Sequence, residues 1–164
     1  MANTYCSTAT DLYITEGEKA LLEEILTATE IATEDSQTQL DFLALASPAF
    51  HKFVDNIDPD NPLGDLANKF EDNDNLDPGA DFKFEHNSDK LIVQIYGDQA
   101  NPENIVTILR LALTESLPVG IEWSFSCDKL RPGEFGGGAA VINADKVIWS
   151  STRRFIEETI REHA

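Results

Sequence analysis

The spacing of hydrophobic positions changes along the chain, from helical periods in the front half to strand-like alternation in the second half. Thr4–Ile14 is rich in β-prone residues and predicts a first strand. The sequence Thr15-Glu16-Gly17-Glu18 has the composition of a capping box, and the apolar stripe that follows predicts a helix over residues 16–30. The acidic residues of this helix fall outside the stripe and are expected to face water: Glu16, Glu23, Glu24 and Glu30.

An acidic insertion, at about 33–80, follows this helix. Thr33–Gln39 is polar and predicts a loop, after which apolar residues recur in short helical runs. Ser47-Pro48 and Asn61-Pro62 have the composition of helix starts, because proline suits the first helical position and the preceding polar residue can cap it. Residues 71–79 are acidic and end in Pro-Gly, which predicts a loop. The insertion is therefore expected to hold two or three short helices.

The second half alternates strands and helices. The predicted elements are a hairpin over 82–97, a helix from Asn101-Pro102 that ends before Pro118, a strand over Ile121–Cys127, a hairpin of Ala139–Ile142 with Val147–Trp149, and a last helix carrying Phe155, Ile156 and Ile160. The length suits one domain, 1–164. We predict an α+β fold in which five to six mostly antiparallel strands carry helices on one face. This is a two-layer sandwich, with ferredoxin-like connectivity as the candidate topology.

The charge of the chain is strongly negative and unevenly distributed. Thirty acidic and twelve basic residues give a net charge of −18, and residues 1–80 alone hold 17 acidic residues against three lysines. Such a surface repels nucleic acid, so direct DNA or RNA binding is not expected. A protein partner with a basic surface is the physical alternative, and solubility alone would also explain the charge.

Neither a membrane segment nor a disulfide framework is predicted. The first fourteen residues lack the basic and apolar regions of a signal peptide, and no stretch approaches the roughly 20 apolar residues of a membrane span. Two cysteines, Cys6 and Cys127, are too few for a disulfide scaffold. We therefore expect a cytoplasmic protein that is a monomer or a homodimer.

Catalytic and metal-binding patterns are not recognisable in the sequence. The three histidines, His51, His86 and His163, lie in no zinc-type spacing, and a pairing of His86 with Cys127 is left open. The acidic segments 58–60 and 72–74 do not follow the order of ligands in an EF-hand. No catalytic residue, metal or cofactor is therefore predicted.

The segment between Cys127 and Ala140 is the least ordinary part of the sequence. It combines charged residues with three consecutive glycines, and its candidate residues are Asp128, Lys129, Arg131, Glu134, Phe135, Gly136, Gly137 and Gly138. One interpretation is a wide hairpin with a glycine bulge and local ion pairs. The other is a ligand or partner contact, because glycine amides can cradle an anion. It matches neither a P-loop nor a dinucleotide-binding motif.

A family resemblance begins at the same segment. The residues that carry it are Trp123–Lys129, Arg131–Ala139, Val141-Ile142 and Ile148–Thr152. Over about residues 90–160 the chain resembles a family of small uncharacterised bacterial and phage proteins with a CDKxRPGEFGGGA-like segment. The resemblance implies a cytoplasmic protein linked to mobile elements, and it implies no activity.

Three functional hypotheses remain open. The first is a non-enzymatic acidic protein that binds a basic partner, such as a nucleic-acid-mimicking inhibitor of a host defence system. Its partner-binding residues would be Glu16, Glu23, Glu24, Asp58, Asp60, Asp72 and Asp74. The second is a small-ligand-binding or catalytic domain that uses the 127–140 loop. The third is an accessory protein whose acidity only keeps it in solution.

Overall fold

The structure is a computed structural model that describes residues 3–163. Six strands are β1 Thr4–Ile14, β2 Asp81–Asn87, β3 Lys90–Gly97, β4 Val119–Cys127, β5 Gly136–Ile142 and β6 Val147–Ser151. Five α-helices are α1 Glu16–Ile31, α2 Ser36–Leu45, α3 Gly64–Ala67, α4 Pro102–Ala112 and α5 Thr152–His163. A short 3₁₀ helix, Phe50–Phe53, lies between α2 and α3.

The six strands form one sheet in the order β2-β3-β1-β4-β5-β6, and every neighbouring pair is antiparallel. Helix α1 follows β1 and helix α4 follows β3, so the first four strands have the connectivity of a ferredoxin-like split βαβ unit. The β5–β6 hairpin extends the sheet beside β4. The predicted α+β sandwich with a mostly antiparallel sheet is confirmed.

The core lies between one face of the sheet, here called the inner face, and the layer formed by α1 to α4. Leu22 and Ile25 of α1 and Ile108 and Leu109 of α4 have no exposed surface, and Val93 of β3 meets them from the sheet. Fully burying a side chain of this size contributes roughly 1.5–3 kcal/mol before conformational entropy is counted. The apolar stripes recognised in the sequence are therefore the contacts that hold the two layers together.

The start of α1 forms as its composition predicts. The Thr15 hydroxyl accepts a hydrogen bond from the Glu18 N–H at 3.3 Å, and a Glu18 carboxylate oxygen accepts from the Thr15 N–H at 2.9 Å. Each side chain satisfies a backbone group that the first helical turn leaves unpaired. The capping box and the helix that follows it are confirmed.

The acidic insertion differs from the prediction at its start. The expected loop over Thr33–Gln39 is wrong in its second half, because α2 already begins at Ser36. Asp35 is the N-cap of this helix, and its carboxylate accepts from the Thr38 N–H at 3.0 Å. Aspartate is among the strongest N-cap residues, so this start has a clear local cause. The two proline signals lead only to the short 3₁₀ helix and to the single turn of α3.

Both predicted hairpins of the second half are present, and the last helix occupies a different layer from the others. Strand pairing places Leu12, Ile121 and Ala140 on the inner face, so the residues that alternate with them project from the opposite, outer face. Helix α5 contacts β5 and β6, and its Phe155 and Ile156 line a groove with outer-face residues. Helices α1 to α4 thus cover the inner face, whereas α5 lies on the outer face.

Candidate functional site

Helix α1 runs beside the edge strand β2, and this arrangement gathers acidic side chains along one border of the molecule. The Glu16 carboxylate lies 2.8 Å from Nε2 of His86, at the end of β2. One turn later, Nζ of Lys19 lies 5.5 Å from the ring centroid of Phe84 in the same strand. The helix and the strand therefore lie side by side, and their exposed polar residues are on the same border of the molecule.

A row of carboxylates follows the exposed side of α1. Glu16, Glu23 and Glu30 are all exposed and follow one another at intervals of seven residues, so each lies about 10 Å from the next along the helix axis. Glu30 also lines a depression at the far end of the row, together with Asp77, Asp81 and Asp98. We define the acidic edge by these six residues: Glu16, Glu23, Glu30, Asp77, Asp81 and Asp98.

The acidic edge is weakly neutralised by the residues around it. Within residues 3–163, its ion pairs are those of Glu16 with His86 and of Glu23 with Lys19, the latter at 3.8 Å. Lys83, which also lines the depression, forms its ion pair with Glu85 outside the edge. The other four carboxylates of the edge have no ion pair among residues 3–163, so most of the negative potential remains.

Glu24 does not stand in water with the other acidic residues of α1, and this corrects the sequence-based expectation. Its two carboxylate oxygens accept hydrogen bonds from the Ser47 N–H at 2.7 Å and from the Ser47 hydroxyl at 2.6 Å. The Ser47 hydroxyl oxygen in turn accepts from the N–H of Phe50, at the start of the 3₁₀ helix. Glu24 therefore connects α1 to the insertion and is half-buried.

The other predicted partner-binding residues lie on turns of the insertion. Asp58 accepts from the Asp60 N–H at 2.9 Å, and Asp72 accepts from the Asp74 N–H at 3.1 Å, so each pair stabilises its own turn. All four side chains are exposed. Asp74 lines a depression next to Glu30, whereas the other three lie outside it.

Glu18 is the most constrained acidic residue, with only 4% of its surface exposed. Besides Thr15, its carboxylate accepts from the N–H groups of Thr114, Glu115 and Ser116 at 2.8, 2.8 and 2.9 Å and from the Ser116 hydroxyl. Burial by itself would raise the pKa of this carboxyl, but the Ser116 hydroxyl and the N–H donors outweigh it and lower the pKa to about 2. The carboxylate ties α1 to the segment after α4.

The three glycines of the 127–140 segment belong to the sheet. Gly136, Gly137 and Gly138 pair with residues of β4, and the Gly137 N–H donates to the Thr152 hydroxyl at 3.2 Å. A Cβ atom at Gly138 would come within 2.4 Å of the Trp123 ring, so this position requires glycine for close packing. The three glycines are therefore paired strand residues of β5, which is the hairpin interpretation and not an open loop of amides around an anion.

The charged residues of the same segment form an exposed turn. Arg131 and Glu134 make an ion pair at 3.7 Å, and Arg153 of α5 donates to the Gly133 carbonyl at 3.2 Å. Asp128 and Lys129 are exposed, and Phe135 is 49% exposed. This geometry is that of the hairpin interpretation, with local ion pairs and a glycine of positive φ at Gly133.

Nucleophilic chemistry at Cys127 is not supported by its surroundings. The neighbouring Glu134 carboxylate raises the pKa of the thiol, which disfavours the reactive thiolate. Cys127 pairs with Thr4 at one end of β1, whereas His86 is joined through Leu91 to Ile14 at the other end. Ten residues of strand separate these ends by about 33 Å, so the pairing of Cys127 with His86 is excluded.

The outer face carries an apolar groove that the sequence analysis did not recognise. The groove has a volume of about 890 Å³, and Phe155 and Ile156 of α5 form one wall. Its floor consists of small residues from four adjacent strands: Ser7, Ala9, Ser124, Gly137, Ala139 and Ser150. The signal in the sequence was the coincidence of small residues in the outward positions of these strands, which becomes visible only when the register is known.

Residues 3–163 contain no group of three or more His, Cys, Asp or Glu side chains arranged to hold a metal ion. None of the helices in this part of the chain is long and apolar enough to cross a membrane. Comparison of the chain with protein-family models, curated proteins and solved structures gave no match. The two surfaces of the described residues that could bind a partner are the acidic edge and the apolar groove.

Proposed function

We propose that the protein is a non-enzymatic binding protein whose acidic edge docks on a basic surface of another protein. The observation that carries this proposal is the row of exposed carboxylates along α1, continued by Asp77, Asp81 and Asp98. Twenty-six acidic residues against eight basic ones lie in residues 1–135, so the surrounding surface strengthens the same negative field. A field of one sign speeds the encounter with a partner of opposite sign.

The length of the row supports a more specific role as a mimic of nucleic acid. Three carboxylates spread over about 20 Å of α1 form an extended anionic surface on the scale of a short stretch of duplex, where the phosphates of one strand lie about 3.4 Å apart along the axis. A protein surface that binds DNA through lysine and arginine would meet a similar array here. The resemblance of residues 90–160 to bacterial and phage proteins favours a host defence protein as that partner, with this protein as its inhibitor.

The proposal can be tested by competition for a DNA-binding protein, with purified core histones as the first probe. The protein should displace a fluorescent DNA duplex from the histones, measured by anisotropy. Direct binding of the labelled protein to the histones should weaken at least about tenfold when the salt is raised from about 50 to about 200 mM. Glu23→Lys with Glu30→Lys should weaken the displacement about fivefold to tenfold, because two charges of the row change sign. Both side chains are exposed, so folding should be retained.

The matched control changes the same number of charges away from the acidic edge. Asp128→Lys with Asp145→Lys reverses two exposed carboxylates near the β4–β5 and β5–β6 turns and gives the same net charge. The protein concentration needed to displace the duplex should be the same for this variant and the unchanged protein, within about twofold. Equal weakening by both double variants would show that net charge alone matters and would overturn the proposal for the acidic edge.

A further inference from the structure

Helix α5 presents an apolar stripe that nothing in residues 3–163 covers. Phe155, Ile156 and Ile160 are 68%, 54% and 64% exposed, and the helix has no buried residue. An amphipathic helix of a globular protein normally turns such a stripe towards a core. The outer face continues this apolar surface through Val141 and Ile148, which are 41% and 50% exposed and pair with each other in β5 and β6.

The groove beside α5 has a shape that suits a helix. Its floor is built from glycine, alanine and serine, and these short side chains allow another backbone to approach the sheet closely. Phe155 and Ile156 line only one side of it. The same chain therefore supplies both an uncovered helix and a place that a helix can occupy.

The charge distribution favours a second copy of the chain as the occupant of the groove. All of the net charge of −18 lies in residues 1–135, because residues 136–164 hold four acidic and four basic residues. A basic partner is drawn to the acidic edge and gains nothing from this neutral region. Two copies of the chain repel each other through every acidic surface, and the region of α5 is where they can approach with the least repulsion.

We propose that two copies of the chain form a symmetric dimer in which α5 of each copy lies in the outer-face groove of the other. The interface is isologous, so each contact is made twice. Since a fully exposed large apolar side chain offers roughly 200 Å², the five exposed residues Val141, Ile148, Phe155, Ile156 and Ile160 provide roughly 500 Å² per copy. A standard interface buries about 800 Å² per partner, so these residues supply most of the required area.

Sedimentation equilibrium over about 1 to 200 μM protein at about 150 mM salt tests the dimer. The unchanged protein should dimerise with a Kd in the micromolar range, and Ile156→Glu with Ile160→Glu should raise that Kd more than about 100-fold. A matched control, Leu45→Glu with Ile57→Glu, changes two exposed apolar residues outside α5 and should leave the Kd unchanged within about twofold. Circular dichroism should show folded protein in every case, since all four side chains are exposed.

A protein that stays monomeric at about 200 μM overturns the proposal. So does a dimer that survives Ile156→Glu with Ile160→Glu, or one that is lost equally in the Leu45 and Ile57 control.

Discussion

Helices α1 and α5 have the same local signals but different surroundings. Both begin with a hydroxyl cap, since Thr15 accepts from the Glu18 N–H and Ser151 accepts from the Arg154 N–H. Both carry an apolar stripe at helical spacing. Ile25 of α1 is fully buried, whereas Ile156 of α5 is 54% exposed. Caps and periodicity therefore identify a helix, but the rest of the chain decides whether its stripe is covered.

The two helices also differ in the charge that they present. The outer side of α1 carries Glu16, Glu23 and Glu30 in one row. Helix α5 alternates signs, and its Arg154 pairs with its own Glu158 at 2.7 Å. One helix thus contributes to a long-range negative field, and the other is locally balanced. A strongly acidic chain can therefore still contain a region without net charge, here residues 136–164.

The same truncation to alanine in the apolar stripes of α1 and α5 should change the stability of the protein by very different amounts. Ile25→Ala should lower the free energy of unfolding by about 2–5 kcal/mol, because it leaves a cavity between α1 and the sheet. Ile156→Ala should change it by less than about 1 kcal/mol at low micromolar concentration, where an exposed side chain has little packing to lose. Urea unfolding followed by far-UV circular dichroism measures both.

Repeating both urea titrations at about 100 μM protein tests whether the stripe of α5 is covered by a second copy. The effect of Ile156→Ala should grow with concentration if α5 is covered by a second copy, while that of Ile25→Ala should stay constant. A large loss for Ile156→Ala that is independent of concentration would mean that α5 is already packed within one chain.

The next largest effect concerns Glu18, the anchor of α1. Glu18→Gln should lower the free energy of unfolding at pH 7 by about 2 kcal/mol, because charge-assisted hydrogen bonds from residues 114–116 are weakened. The pKa of Glu18 in the folded protein, about 2, lies below its ordinary value of 4.5. The stabilisation by the Glu18 charge is therefore complete above about pH 4.5 and is lost as the pH falls towards 2.

Urea titrations at pH 7 and at about pH 3 separate this effect from general acid destabilisation. The gap between the unchanged protein and Glu18→Gln should narrow at the lower pH, since the carboxyl is protonated in the unfolded chain there. A gap of constant size across this range would show that the charge of Glu18 does not stabilise the fold.

The smallest effect distinguishes two adjacent glutamates of α1. Glu24→Ala should lower the free energy of unfolding by about 1 kcal/mol, because the Ser47 N–H loses its acceptor. Glu23→Ala should change stability by less than about 0.5 kcal/mol, since its ion pair with Lys19 is exposed. Thermal unfolding at pH 7 measures both variants, and equal losses would contradict the role assigned to Ser47.

Local patterns predicted much of the fold, and long-range contacts explain what they missed. The capping box at Thr15, the hairpin of β2 and β3, and the helix from Asn101 all depend on neighbours within a few residues. The start of α2 has a local signal, the Asp35 N-cap, but the polar residues around it also fit a loop, so the sequence does not decide between the two. Glu24 was misplaced because its partner, Ser47, lies 23 residues away.

Less of the two candidate surfaces could be predicted from the sequence. Glu16 and Glu23 could be assigned to one helix side by their spacing alone. Asp81 and Asp98 join the acidic edge only because β2 and β3 pair in one particular register. The groove likewise requires the alignment of four strands. A helix stripe could be recognised at Phe155, but its exposure depends on the absence of a covering layer among residues 3–163.

The two tryptophans provide an optical consequence of the sheet order. Trp123 and Trp149 lie in β4 and β6, and their ring centroids are 5.9 Å apart. The chain has no other tryptophan. Intrinsic fluorescence excited at long wavelength therefore reports the environment of this corner alone, and melting confined to the acidic insertion would leave the emission spectrum unchanged.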